Sequence, residues 1–138
     1  MNAKFSFLSL LLLILFSTET TFANDSAAIL ARKAVSANAA DSTTAIEELR
    51  EIGPAGLEAL LNEYSDQINS HIANPKLAAT AEWQRITTAI DLVGQQKNNF
   101  ISGLYWYTDL EDAKKAARES GKPIRLVAST ETLSLSTK

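Results

Sequence analysis

Apolar residues recur at intervals of three and four along residues 24–98, the spacing that places them on one face of an α-helix. The clearest stripe lies in a helix predicted over residues 54–72 and comprises Leu57, Leu60, Leu61, Tyr64, Ile68 and Ile72. A second stripe, in a helix predicted over residues 75–93, comprises Ala79, Trp83, Ile86, Ile90 and Val93. Two long stripes separated by Asn74-Pro75 predict an antiparallel helix pair within a helical bundle.

Two shorter helices are predicted before this pair, over residues 26–37 and 44–52. Thr44 and Glu47 match a capping box at the start of the second one. Gly53-Pro54 ends it, because glycine tolerates the left-handed cap and proline suits the first turn of the next helix. Helix, Gly-Pro turn and longer helix resemble one HEAT-type repeat. Because solenoids need about three units, we predict an irregular helical bundle and keep the HEAT-type repeat as the alternative.

The N-terminus has the pattern of a secretory signal peptide over residues 1–23. A positive start at Lys4 precedes an apolar run from Phe5 to Phe16, and Thr21-Phe22-Ala23 offers small residues for cleavage after Ala23. The run is shorter than the roughly 20 residues that span a bilayer. We expect export to the periplasm or the extracellular space without a stable membrane span, the alternative being an uncleaved anchor.

A different pattern begins near residue 99. The stretch Leu104-Tyr-Trp-Tyr is followed by a helix pattern, in which Thr108 and Glu111 match a second capping box. Gly121 ends that helix, and residues 124–128 form a short apolar run. Strand, helix and strand predict an incomplete βαβ unit over residues 99–128.

This stretch resembles the start of exported thioredoxin-like proteins. The motif residues that carry the resemblance are Trp106, Ala113, Ala117, Lys122, Pro123 and Ile124. Together with Trp83-Gln84-Arg85 and Ile90-Asp91 in the preceding helix, they are similar to a bacterial family of uncharacterised exported proteins. The resemblance implies an N-terminal helical region followed by a thioredoxin-like segment.

In redox-active relatives of that family a cysteine pair follows the strand, where this chain has residues 129–133. These 138 residues contain no cysteine, so they cannot carry out thiol–disulfide exchange or hold a thiolate metal site. The Ser/Thr-rich residues 129–138 are predicted to be disordered. We expect a truncated relative of a longer protein, with a frayed end of a complete chain as the alternative.

Several polar and aromatic residues were considered as site residues. They are His71; the carboxylates Glu47, Glu48 and Glu51; the helix-start residues Asp109, Glu111 and Asp112; the aromatic run Tyr105, Trp106 and Tyr107; and Ser129 with Thr130. Each has a simpler explanation as a surface, capping or core residue, and no base accompanies the two hydroxyls. We therefore assign no catalytic, cofactor-binding or metal-binding residue and expect no cofactor.

Net charge and composition limit the classes of binding partner that we expect. The net charge of −3, with no dense Lys/Arg cluster, argues against nucleic acid and anionic membranes. We expect a non-catalytic exported protein that contacts another protein or has a structural role. The alternatives are an inactive remnant of a thioredoxin-like oxidoreductase and a small-molecule binder using Trp83 or Trp106.

Overall fold

The computed structural model describes residues 19–127 and, from residue 26 onward, their side chains. This part of the chain contains seven helices and no strand. They are α1 (Glu19–Ala34), α2 (Ala39–Ile52), α3 (Pro54–Glu63), α4 (Ser65–Ala73), α5 (Ala81–Gly94), α6 (Asn99–Ser102) and α7 (Leu110–Ser120). The protein is mainly α-helical, as the 3.6-residue periodicity predicts.

The described residues divide into two compact units, one ending at Trp106 and the other beginning at Tyr107. In the first unit, α1, α2, α3 and α5 pack around one core. Its members with the least exposure are Ala31, Leu49, Leu57, Leu60, Ile86, Ile90 and Val93. The predicted stripes of α3 and α5 supply most of this core, so burial of these stripes holds the helices together.

The turn between α2 and α3 forms as predicted. Gly53 has φ +80°, which an L side chain rarely adopts, and Pro54 occupies the first turn of α3. A side chain at Gly56 would collide with the Leu49 backbone carbonyl. The two helices therefore approach each other closely at this glycine.

Helix starts differ from the sequence predictions: α1 includes residues 19–25, ahead of the predicted start at residue 26, and three later helices begin at residues other than those predicted. Asn38, not Thr44, caps α2, and its side-chain oxygen accepts a hydrogen bond from Ala40 N–H at 3.0 Å. Thr80 caps α5 by accepting from Trp83 N–H at 3.1 Å, so this helix begins six residues after Pro75. Asp109 replaces Thr108 as the cap of α7. In each case an oxygen-bearing side chain satisfies amides that the first turn leaves unpaired.

The helix predicted over residues 54–72 is two helices that meet at Tyr64. Tyr64 N–H donates to the Leu60 carbonyl, and Ile68 N–H donates to the Tyr64 carbonyl, so hydrogen bonding continues through the bend. The side chains of Tyr64, at the junction, and of Ile68, one turn later, are both buried. Ile72, at the far end of the predicted stripe, is exposed.

The strand predicted around residues 104–107 does not form in the described structure. Leu104 N–H donates to the Asn99 side chain, and Trp106 N–H donates to the Gly94 carbonyl. These amides are therefore used against α5 and α6 and are not available for a sheet. Residues 99–106 belong to the helical unit, whereas the sequence pattern placed a boundary at residue 99.

The second unit contains α7 and a following stretch without regular structure, residues 122–127. Gly121 adopts φ +67° and ends α7 as predicted. The second strand of the predicted βαβ unit is thus absent from the described residues, because a β-ladder requires a neighbouring strand that this part of the chain does not supply. Residues 19–127, which the structure describes, do not show a thioredoxin-like arrangement.

The predicted signal peptide lies largely outside the described residues, as do residues 129–138. The backbone of α1 starts at Glu19 and passes through Ala23, where cleavage is predicted. Among the described residues, no helix combines the length and apolar character needed to cross a bilayer.

Candidate functional site

A polar cluster organises the loop that follows α5. The Asp91 carboxylate accepts from Asn98 N–H at 3.0 Å and from Asn99 N–H at 2.8 Å. Gln95 and Asn98 both have positive φ, so the chain turns sharply between the end of α5 and the start of α6. Asp91 thereby fixes the start of α6 against the end of α5.

Asn99 is the one fully buried polar side chain among the described residues. Its Oδ1 accepts from Ser102 Oγ at 2.8 Å and from Leu104 N–H at 3.1 Å. The amide fits against Gly94, where any side chain would overlap it. Its Nδ2 donates to the Ile90 carbonyl at 3.5 Å, so Asn99 has a structural role in joining the loop to α5.

Arg50 joins α2 to this loop. Its guanidinium donates to the Val93 carbonyl at 2.8 Å and to the Trp106 carbonyl at 3.3 Å. It also lies over the Tyr105 ring, 4.9 Å from the centroid, while Tyr105 OH donates to the Arg50 carbonyl at 3.0 Å. Arg50 therefore ties α2 to the loop through both its side chain and its backbone carbonyl.

The first two residues of the aromatic run Tyr105, Trp106 and Tyr107 contact the helical unit. Tyr105 packs partly buried against the core, and Trp106 Nε1 donates to Gln96 Oε1 at 2.7 Å. Tyr107 belongs to the second unit. Tyr105 and Trp106 are therefore engaged in holding the loop to the helices of the first unit.

His71 and Trp83 form a stacked pair that the sequence did not predict. Their ring centroids lie 3.7 Å apart with an interplanar angle of 7°, and Phe100 contacts Trp83 edge-on at 5.2 Å. His71 Nδ1 lies 3.0 Å from the Gln67 carbonyl oxygen, which only accepts, so this nitrogen carries the hydrogen. The buried Nε2 has no partner in the described structure. The stack joins α4 to α5 and α6.

The candidate carboxylates lie in two groups, one on α2 and one at the start of α7. Glu47, Glu48 and Glu51 are exposed on α2. In the second unit, Asp109 Oδ1 accepts from Glu111 N–H at 2.8 Å and Asp112 N–H at 3.0 Å, which is a capping role. No group of three potential ligands with metal-binding geometry occurs in the described residues. Ser129 and Thr130 lie outside them.

A surface depression of about 290 Å³ lies between the end of α1, α2 and α5. Its polar lining includes Ser42, whose Oγ donates to the Ala34 carbonyl, and Arg85, whose Nε donates to the Val35 carbonyl at 3.0 Å. Both groups satisfy carbonyls that the C-terminus of α1 leaves unpaired. We interpret the depression as part of the helix junction.

The second unit exposes apolar side chains together with positive charge. We name residues 107–127 the α7 segment. No residue of α7 is buried, and Leu110, Ile124, Leu126 and Val127 are 46%, 42%, 78% and 63% exposed. The segment also carries four anions, three of them at the start of α7, and five cations toward its far end: Lys114, Lys115, Arg118, Lys122 and Arg125. This combination is the strongest candidate binding surface in the described structure.

The residues that organise the loop after α5 were missed at the sequence level. Asn98 gave the one usable signal, because asparagine tolerates the left-handed conformation of a turn. Nothing in the sequence distinguishes Asn99 from Asn98, or Arg50 from a surface arginine. Their roles depend on contacts with residues up to 56 positions away along the chain.

Comparison with protein-family models, with curated proteins and with solved structures gave no match to this chain.

Proposed function

We propose that this protein is exported and binds another protein of the same compartment without itself acting as a catalyst. The α7 segment carries the binding. The supporting observation is that Leu126, its most exposed apolar residue, is 78% accessible and lies beside other exposed apolar side chains. Burial of such a group against a partner is favourable by roughly 25 cal/mol per Å² of apolar surface.

The arrangement of α7 supports this proposal. Leu110, Ala113 and Ala117 recur along one face, while Glu119 lies about half a turn away. Lys114 is on the apolar side but is paired with Glu111 at 2.7 Å. An amphipathic helix without buried residues of its own is suited to pack on another surface.

Site-specific photocrosslinking tests the proposal. A photoreactive residue at position 126 is expected to capture a defined partner in the exported fraction of the native cells. The same residue at position 119 is the matched control and is expected to capture less of that partner. Absence of a specific product at position 126, or equal capture at both positions, would contradict binding through this surface.

Export is tested separately by the mass of the protein recovered from that fraction. Cleavage after Ala23 leaves a chain that begins at Asn24. A full-length chain in the exported fraction would support the uncleaved anchor. A chain found in the cytoplasm alone would overturn export.

The second candidate is an inactive remnant of a thioredoxin-like oxidoreductase, which the motif from Trp106 to Ile124 favours. The related interpretation of α2 and α3 as one HEAT-type unit is favoured by the Gly53-Pro54 turn. An insulin-reduction assay addresses the redox interpretation: the chain without cysteine is expected to give no activity above the reductant alone. Activity of the pure chain would contradict both the remnant and the binding-protein proposals.

A further inference from the structure

We propose that residues 122–127 bind the partner as an added β-strand, along an exposed sheet edge that is bordered by acidic side chains. We name these residues the extended stretch, after the conformation that this mode of binding requires. This inference rests on the proposed function and specifies the kind of partner and the mode of binding.

The backbone of the extended stretch is the first argument. Within the described structure, none of its N–H or C=O groups takes part in a hydrogen bond. A side chain covering the stretch would bury these groups unpaired, which is unfavourable. An edge strand of a partner sheet satisfies them in register, since it presents its own unpaired N–H and C=O groups.

The order of side chains is the second argument. In an extended chain Ile124 and Leu126 point to one face and Arg125 and Val127 to the other. Both faces therefore carry an exposed apolar residue. Apolar residues on two successive faces, with β-branched Ile124 and Val127 among them, are typical of a strand that is covered on both sides of a sheet.

Charge is the third argument. The α7 segment contains five cations and four anions, and three of the anions, Asp109, Glu111 and Asp112, lie at the start of α7. The part that adjoins the proposed strand, residues 113–127, therefore holds all five cations and only Glu119 as an anion. Of these cations, Lys114 alone forms an ion pair in the described structure. An acidic border on the partner sheet would neutralise the remaining four and favour encounter in one orientation.

The length of the elements agrees with this mode of binding. The 11-residue α7 is about 16 Å long at 1.5 Å per residue. The six residues of the extended stretch span about 20 Å at 3.3 Å per residue. Because Gly121 has φ +67° between them, the chain can change direction there and allow the helix to cover one face of the added strand.

Proline substitutions test the hydrogen-bonding pattern. The amides of residues 125 and 127 point to one edge of an extended chain and the amide of residue 126 to the other. The partner recovered by crosslinking at position 126 is purified and titrated with labelled Arg125→Pro, Leu126→Pro and Val127→Pro chains. Arg125→Ala, Leu126→Ala and Val127→Ala are the matched controls for the loss of each side chain.

Strand addition predicts that proline weakens binding by about tenfold or more relative to alanine. If the stretch pairs along one edge, the effect is expected either at positions 125 and 127 or at position 126. If it lies between two strands, the effect is expected at all three positions. Equal affinities of each proline variant and its alanine control would overturn strand addition while leaving the proposed function intact. Failure to recover any partner would overturn both. Capture of a second copy of this chain would contradict the acidic-edge partner and identify self-association.

The charge argument has its own test on the same complex. Lys115→Gln/Lys122→Gln is expected to weaken binding and to reduce its dependence on salt between about 0.1 and 1 M. Lys76→Gln/Lys97→Gln, in the helical unit, removes the same charge and is expected to leave both unchanged. An equal effect of the two pairs would overturn the acidic border.

Discussion

The Asn99 side chain occupies the space beside Gly94 that a larger residue at position 94 would need. A Cβ atom at Gly94 would overlap Asn99 Nδ2 and lie 2.7 Å from Asn99 Cγ. Gly94 is helical and does not need a positive φ. Its requirement for glycine therefore comes from the buried amide of Asn99 and not from the backbone conformation.

Gly94→Ala is accordingly expected to destabilise the protein by about 2 kcal/mol or more, because the amide must move and lose hydrogen bonds to Ser102 and Leu104. Urea unfolding followed by circular dichroism measures the change. In an ordinary helix the same substitution would stabilise by roughly 0.5–1 kcal/mol.

The Gly94→Ala/Asn99→Ala double variant provides the control. Asn99→Ala alone removes hydrogen bonds, but it also removes the overlap with a methyl group at position 94. The double variant is therefore expected to lose less stability than the two single changes together. Simple additivity would show that the two residues are not coupled.

Arg50 is expected to stabilise the attachment of the loop to α2. Arg50→Ala removes charged hydrogen bonds to the Val93 and Trp106 carbonyls, at a cost of about 2–3 kcal/mol in the free energy of unfolding. Arg50→Lys is expected to recover part of this, because an ammonium lacks the planar fork. Urea unfolding measures both.

Arg32→Ala is the matched control for Arg50. Arg32 forms an exposed ion pair with Glu63 at 2.9 Å. Such pairs contribute about 0–1 kcal/mol, so its loss is expected to have a small effect. Equal destabilisation by Arg32→Ala and Arg50→Ala would contradict the role given to Arg50.

The stack between His71 and Trp83 predicts different losses of stability for two variants of His71. His71→Ala removes the ring contact and is expected to destabilise by about 1–3 kcal/mol. His71→Phe keeps a stacking ring and removes the buried Nε2 that has no partner, which offsets the loss of the exposed hydrogen bond between Nδ1 and the Gln67 carbonyl. It is therefore expected to destabilise by less than about 1 kcal/mol. Thermal unfolding distinguishes them, with Asn69→Ala as an exposed control on α4; a His71→Phe chain as unstable as His71→Ala would contradict the stack.

The raised pKa of Tyr64 leads us to expect a loss of stability in alkaline solution. Burial, reinforced by the negative charges of Glu63 and Glu82, raises the pKa of its phenol above the ordinary 10.0. Below pH 10.0 both states keep the proton and the full stability is present. As the pH rises beyond that value, the unfolded chain releases the proton first, so stability falls until the pH passes the folded pKa.

Ultraviolet absorbance of tyrosinate and urea unfolding across that pH range measure the effect. Tyr64→Phe is expected to lack this part of the pH dependence. Glu82→Gln is expected to lower the pKa of Tyr64. An unchanged alkaline slope in Tyr64→Phe would place the dependence elsewhere.

The local signals in the sequence predicted the helices more reliably than their ends. Gly53-Pro54 and Gly121 act through φ values that neighbouring residues do not alter, and both end helices as predicted. Thr44 and Thr108 have the right side chain for a cap, but Asn38 and Asp109 take that role. Several capping residues lie near each helix start, and packing of the helix decides which of them is used.

The amino-acid sequence alone determined that the first unit is helical and which face of α3 and α5 enters the core, because apolar spacing fixes the buried face of a helix. The absence of cysteine likewise excluded thiol chemistry in these 138 residues. Only the tertiary structure decided that Arg50 holds the loop, that Asn99 is buried against Gly94 and that residues 104–106 bond to helices and not to a strand. These outcomes depend on backbone carbonyls and amides that the fold brings together from distant positions. Every residue carries the same backbone groups, so the sequence does not indicate which of them will meet.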